Sequence, residues 1–167
     1  VRDQTQWMLD ILDDPMRTGV AVVTTPEEMP VTETIDLLGR LRAETGAHAS
    51  AVIANRVLPA MFNRREQAIV DRLDDALPLL VDAAGPAVTT VVDAARLTEM
   101  RRSTGADHLD RLRRWLRTSG EVADGLPIIT VPELFSRGSG PRVVSLVAEA
   151  LTDELDPEPS TPRGRRG

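Results

Sequence analysis

Three short runs of apolar, largely β-branched residues recur along the chain and limit the folds open to it. They are VAVVTT at residues 20–25, ASAVIANRVLP at 49–59 and LPIITVPEL at 126–134. Continuous apolar runs of this length are typical of strands buried on both faces, as in a parallel sheet covered by helices. Because the runs alternate with helical patterns, they predict an α/β fold built from right-handed β-α-β units.

Apolar residues at helical spacing fill most of the sequence between these runs. Helices are predicted over residues 4–14, 31–46, 63–80 and 139–155. Pro78 is expected to end or kink the third of them. Residues 88–97 are predicted to form a third strand that runs into a helix. Residues 96–117 are predicted to form two helices or one helix broken at Gly105, so that the chain holds three or four strands in all.

The chain has 167 residues, which suits one domain. We expect residues 1–17 to end a helical segment and residues 18–155 to form the α/β domain, with an arginine-rich helical insertion at 95–118. The tail at 156–167 lacks apolar residues and is predicted to be disordered. Since the visible strands are few for a doubly wound sheet, we expect the C-terminal part of a larger domain.

All 20 basic residues are arginine, and the chain contains neither cysteine nor tyrosine. This composition excludes a Schiff-base lysine, a lysine that grips phosphate, disulfides and thiolate zinc sites. The net charge of −6 argues against a duplex nucleic-acid binder. No secretory leader and no apolar run of ~20 residues is present, so a cytoplasmic protein is expected. The chain is therefore expected to supply binding surface rather than a reacting group.

Ligands of parallel sheets bind just beyond the carboxyl ends of the strands. Three segments stand where the apolar runs end, namely residues 24–27, 55–59 and 132–135. The candidate binding residues are Glu27, Asn55, Pro132, Glu133, Leu134 and Phe135.

Each strand end allows a binding role and a structural role. The carboxamide of Asn55 matches the hydrogen-bonding edge of adenine, but an asparagine there also caps a turn. Glu27 could accept a hydrogen bond from a ribose hydroxyl or a partner's backbone, or it could be a first-turn acid favoured by the helix dipole. Pro132 could begin a rigid turn whose backbone faces a base, or it could simply punctuate a loop.

Taken in order, VAVVTTPEEMPVTETIDLLGRL, AVIANRVLP and LPIITVPELF resemble the C-terminal half of the ArsA-type ATPases. This family includes the arsenite-pump ATPase and relatives that target tail-anchored membrane proteins. The resemblance covers about residues 18–150 and is strongest at the strand-Pro-Glu motif with Thr-Glu-Thr at 32–34, and at the Asn-Arg-Val-Leu-Pro motif at 55–59. It implies the C-terminal part of a P-loop NTPase fold with a deviant Walker A motif.

The resemblance also implies roles for the candidate residues. Asn55 would read adenine, the turn at 132–135 would close over the base, and Glu27 would contact nucleotide near a dimer interface. The ligand would be ATP or ADP, and the assembly a homodimer or a heterodimer with an ArsA-like subunit. A membrane-protein client or a pump would be the partner, and no nucleic acid is expected. ATP hydrolysis would be coupled to handling of that partner.

The chain departs from the family pattern at several points. The glycine-rich, lysine-bearing phosphate loop and the two switch segments with their aspartates are absent, so the chain alone is expected not to hydrolyse ATP, and Mg²⁺ would be held by residues outside it. The cysteines of a zinc clip or an arsenite site are absent too. Two alternatives stay open: a nonenzymatic, degenerate relative acting as a dimerisation or regulatory module, and an unrelated α/β binding domain.

Seven arginines between residues 96 and 117 could bind a phosphate, an acidic partner or nucleic acid. Acidic residues among them favour a solvated, salt-bridged helix face instead. Trp7 and Trp115 are expected to pack in the core, although Trp7 could also line a client groove. His48 and His108 have no neighbouring ligand in the sequence, so a metal site is not expected.

Overall fold

The computed structural model describes residues 2–14, 16–120, 125–134 and 140–155. The predicted disordered tail lies outside this range. The elements are α1 (Arg2–Asp13), β1 (Val20–Thr24), α2 (Glu28–Thr45), β2 (Ala49–Val57), α3 (Arg64–Val70), α4 (Leu73–Ala84), α5 (Ala87–Thr118), β3 (Ile128–Pro132) and α6 (Pro141–Leu155). In the described part of the chain, no helix combines the length and the hydrophobicity that a membrane span requires.

The three strands form one parallel sheet in the order β1-β2-β3, flanked by helices, and this confirms the predicted α/β fold. Neighbouring parallel strands need a crossover connection. Here α2 connects β1 to β2, and the three helices α3, α4 and α5 connect β2 to β3. In register, Val22 pairs with Val52, and Val52 pairs with Ile128.

The core lies between the sheet and the helices α2 and α5. Its buried residues are Val22, Val31, Leu38, Val52, Leu112 and Leu116. Trp115 packs against this cluster, as predicted, but Trp7 does not: it is 61% exposed on α1. The amphipathic pattern of α1 therefore produced a correct helix with an incorrect assignment of Trp7 to the core.

The strand β1 is not buried on both faces, which corrects the expectation from its continuous apolar run. Its burial alternates, so that Val22 and Thr24 are buried while Ala21 and Val23 are exposed. The two helices cover the face that carries Val22 and Thr24. Val23, on the opposite face, stays 60% exposed to solvent in the described part of the chain.

The predicted strand at 88–97 is wrong, because these residues belong to α5. The β-branched residues at 88–92 favour a strand only weakly, and packing against α4 overrides that preference. Gly105 does not break the helix either. A Cβ on Gly105 would lie 3.2 Å from the carbonyl oxygen of Pro26, so the glycine allows α5 to pass close to the loop after β1. The described sheet therefore has three strands.

The predicted helix at 63–80 is two helices, and Pro78 lies inside the second. Asn63 caps α3: its side chain accepts hydrogen bonds from the backbone N–H groups of Arg65 and Glu66, and the Glu66 carboxylate accepts one from the Asn63 N–H. The break falls at residues 71–72, before the proline. Pro78 thus removes one backbone donor within α4 without ending the helix.

Candidate functional site

The carboxyl ends of the three strands converge on a cavity of about 500 Å³. Glu27 follows β1, Arg56 lies near the end of β2 and Glu133 follows β3, and all three side chains line the cavity. The parallel arrangement is the reason, because it places all three carboxyl ends at one edge of the sheet. The structure therefore brings together two of the six candidate residues, Glu27 and Glu133. Arg56 lies on the central strand, between the two outer strands that these glutamates follow.

Two contacts join the end of β2 to the end of β3. The Arg56 Nε donates a hydrogen bond to Glu133 Oε2 at 2.8 Å. The backbone N–H of Glu133 donates to the carbonyl oxygen of Val57 at 2.9 Å. The hydrogen bond to Glu133 raises the pKa of Arg56 above its ordinary value, and the negative charges of Glu133 and Glu27 add to this effect. Arg56 thus interacts with both acidic candidates.

Arg56 has a strained backbone. Its φ is +59°, and among the described residues it is the one non-glycine residue with a positive φ. For a residue with a Cβ, this left-handed conformation costs about 1–2 kcal/mol. Asn55 supports it, because the Asn55 Oδ1 accepts a hydrogen bond from the Arg56 N–H at 2.9 Å.

Asn55 is half-buried, and its Oδ1 accepts a hydrogen bond from the N–H of the adjacent Arg56 within β2. It is not among the residues that line the cavity of about 500 Å³. Recognition of adenine by its carboxamide stays a prediction, since the Asn55 Oδ1 retains a second lone pair and the amide can donate two hydrogen bonds.

Glu27 is the residue before α2, and its side chain makes no capping hydrogen bond. Its backbone N–H donates to the carbonyl oxygen of Thr25 at 2.8 Å. Glu28 follows in the first turn of α2, where the helix dipole favours an acid. The exposed carboxylate of Glu27 is thus available to accept hydrogen bonds in the cavity.

A second cavity of about 370 Å³ lies between the end of the sheet and α6. Pro132 lines it, together with Pro59 and residues of α6. Thr130 donates a hydrogen bond to Glu154 of α6 beside it. Leu134 is half-buried, and Phe135 lies outside the described residues.

The opposite wall of the larger cavity is formed by α5, which sequence reasoning did not place at the site. The expected ion pairs are present: Arg102 pairs with Glu99 and Arg113 with Asp110. The hydrogen bond from Arg102 lowers the pKa of Glu99, and the same bond raises the pKa of Arg102. Yet both arginines also line the cavity. The signal in the sequence was Gly105, which marks where the helix passes close to another part of the backbone.

A site for a metal ion is not visible in the ranges that the structure describes, where no group of three or more histidine, aspartate or glutamate side chains is suitably placed.

Comparison with known protein families finds a match over residues 1–75 to the ArsA ATPase family, described as an anion-transporting ATPase. No curated protein shows a significant match to the chain. The matched range contains Glu27, Asn55 and Arg56 but neither α5 nor β3.

Proposed function

We propose that this chain, which matches the ArsA ATPase family over residues 1–75, is a member of that family and forms the adenine side of an ATP site. Binding and hydrolysis of ATP in the assembled site would be coupled to handling of a client or a transport partner. The observation that carries the proposal is the convergence of three strand ends on one edge of the sheet, with Glu27 and Glu133 in a shared cavity.

The residues suit the parts of a nucleotide other than its terminal phosphates. A cavity of about 500 Å³ lies within the range of small-molecule sites. The carboxylate of Glu27 can accept hydrogen bonds from ribose hydroxyls, and the amide of Asn55 can pair with the edge of adenine. Pro132 ends β3 at the same edge of the sheet, and the segment at 132–135 would close over the base.

The side that binds the terminal phosphates would come from residues outside this sequence. A P-loop holds phosphates with backbone N–H groups and a lysine, and this chain has no lysine. The Mg²⁺ ligands would come from the same source. In a dimer, ATP would favour the closed arrangement of the two subunits and hydrolysis would release it, which would move the client or pump partner.

Thermal unfolding in the presence of millimolar ATP or ADP tests the adenine side. A ligand that binds the native state stabilises it by about 2.7 kcal/mol at a concentration 100 times its Kd. We expect either nucleotide to raise the midpoint for the wild-type chain, and Asn55→Ala to abolish most of this increase. Asn63→Ala is the matched control, because Asn63 caps α3 away from the site.

The control variant is expected to unfold at a lower temperature and to keep the full increase caused by nucleotide. An equal increase for wild type and Asn55→Ala would contradict the role of Asn55. If neither nucleotide changes the midpoint of the wild-type chain, the result contradicts the adenine site and favours the nonenzymatic module.

A further inference from the structure

The α5 wall of the larger cavity carries three hydrogen-bond donors in one stripe. Arg101, Thr104 and His108 all line the cavity. At 3.6 residues per turn, these positions fall within an arc of about 60° on the helix surface, and the first and last are separated by ~10 Å along its axis. One ligand of small-molecule size can therefore reach all three side chains.

These three side chains are not engaged elsewhere. The other arginines of the cavity wall are paired with carboxylates, as Arg56 is with Glu133 and Arg102 with Glu99. In contrast, the side chains of Arg101, Thr104 and His108 form no hydrogen bond or ion pair with another described residue. An arginine, a hydroxyl and an imidazole with free donors are the groups that bind a phosphate.

The facing wall has the opposite character. Glu27 and Glu28 line it at the start of α2, and neither is paired with an arginine in a described salt bridge. Carboxylates accept hydrogen bonds and repel anions, so this wall favours the hydroxyl groups of a ligand over its phosphate. The cavity is thus polarised, with donors on α5 and acceptors at the β1–α2 loop.

Gly105 fixes the distance between the two walls. It lies on α5 between Thr104 and His108, and its missing side chain lets the helix contact Pro26, the residue before Glu27. Any larger residue would push the donor stripe away from the glutamates. The polarised arrangement therefore follows from the packing of α5 against the loop.

We propose that this cavity binds a phosphate monoester of a hydroxylated molecule, with the phosphate on Arg101, Thr104 and His108 and the hydroxyl groups toward Glu27 and Glu28. The ester is either a nucleotide or a separate sugar phosphate. The site does not depend on adenine recognition, since Asn55 is not among the residues that line this cavity.

The chain has two histidines, which makes NMR of the imidazole protons a direct test. The probes are ribose 5-phosphate, AMP, and ribose alone, each at matched ionic strength in sodium chloride. We expect both phosphate esters to shift the resonances of His108 in a saturable way and ribose to leave them unchanged. The exposed His48, in the loop before β2, is the internal control and is expected not to respond.

A response to both esters identifies the phosphate group and its sugar as the recognised chemistry, whereas a response to AMP alone identifies a nucleotide as the source of the phosphate. Either result supports the site. No saturable response of His108 to either ester would overturn it, and so would a response to ribose as large as that to ribose 5-phosphate.

Two variants complete the test. Arg101→Gln is expected to weaken binding of ribose 5-phosphate or AMP by about tenfold or more, because it removes a charge-assisted hydrogen bond. Arg117→Gln is the matched control: Arg117 is an exposed arginine on the opposite side of α5, and this variant is expected to bind as the wild type does. Equal affinities for the two variants would overturn the assignment.

Asn55→Ala is expected to keep the response to ribose 5-phosphate, which separates this site from the proposed adenine site.

Discussion

The two halves of α5 have the same conformation but different surroundings. In the C-terminal half, Leu109, Leu112 and Leu116 are buried. In the N-terminal half, which packs against α4, Val92 is buried while Leu97 is 55% exposed. The helix is therefore anchored to the domain through one half. The donor stripe of Arg101, Thr104 and His108 lies where the two halves meet. The buried C-terminal half therefore determines its position.

The largest difference between the halves is expected from truncating one leucine in each. Leu112 is fully buried, and Leu112→Ala is expected to lower the free energy of unfolding by about 2–5 kcal/mol. Leu97→Ala removes the same atoms from an exposed position and is expected to cost less than about 1 kcal/mol. Urea denaturation measures both, and equal losses would show that the N-terminal half is anchored as firmly.

The junction between the halves is tested at Gly105. Gly105→Val places a branched side chain against Pro26 and is expected to cost about 1–3 kcal/mol of stability. Gly39, in α2, has open space where a Cβ would be, so Gly39→Ala is the matched control and is expected to stabilise by about 0.5–1 kcal/mol. If Gly105→Val also stabilised the chain, the close passage of α5 over the loop would be contradicted.

The wall of the larger cavity opposite α5 is formed at the strand ends by Glu27, Arg56 and Glu133, and we call it the strand-end wall. In this wall, Arg56 combines an ion pair with a strained backbone. Arg56→Ala and Arg56→Gly both remove the pair with Glu133, but glycine adopts a positive φ without the steric cost. The alanine variant is therefore expected to be less stable than the glycine variant by about 1 kcal/mol. Thermal or urea unfolding of the two variants measures this difference, and equal stabilities would argue against the left-handed conformation of Arg56.

The smallest effect on stability is expected from the ion pair of Glu99 with Arg102 on α5. Arg102 holds the pKa of Glu99 below its ordinary value in the folded chain. The stabilisation is therefore present at pH values above the pKa of an unfolded glutamate and is lost as the pH falls through the lowered pKa. Glu99→Gln is expected to cost a few tenths of a kcal/mol at neutral pH. Denaturation at pH 7 and pH 3 checks that this cost disappears in acid.

The strand-end wall could be predicted from the sequence because its causes are local. The apolar runs that end near Glu27, Arg56 and Glu133 each define a strand, and parallel pairing then places the ends together. What the runs could not show was the strained φ of Arg56, since arginine ordinarily avoids that conformation. Phe135 lies outside the described residues, so its role over the base is still a prediction.

The wall that α5 contributes to the larger cavity could not be predicted in the same way. The β-branched residues at 88–92, in the first turns of α5, favour a strand. Packing of α5 against α4 stabilises the helix instead. The cavity-facing positions of Arg101 and His108 depend on how α5 is rotated over the sheet. That rotation is set by the buried side chains of Leu109 and Leu112 and by the contact of Gly105 with Pro26.

The contact between Arg56 and Glu133 joins residues that are 77 positions apart, and this separation bears on how the chain folds. Pairing of β1 with β2 closes a loop of chain that contains only α2. Pairing of β2 with β3 closes a longer loop, which contains α3, α4 and α5. The entropic cost of closure rises with length, so β3 should join a sheet edge that already exists. Pulse-labelling hydrogen exchange would then show protection of the Val22 amide before those of Val52 and Ile129, because the Val52 N–H donates to the carbonyl oxygen of Pro127, directly before β3. Simultaneous protection would contradict this order.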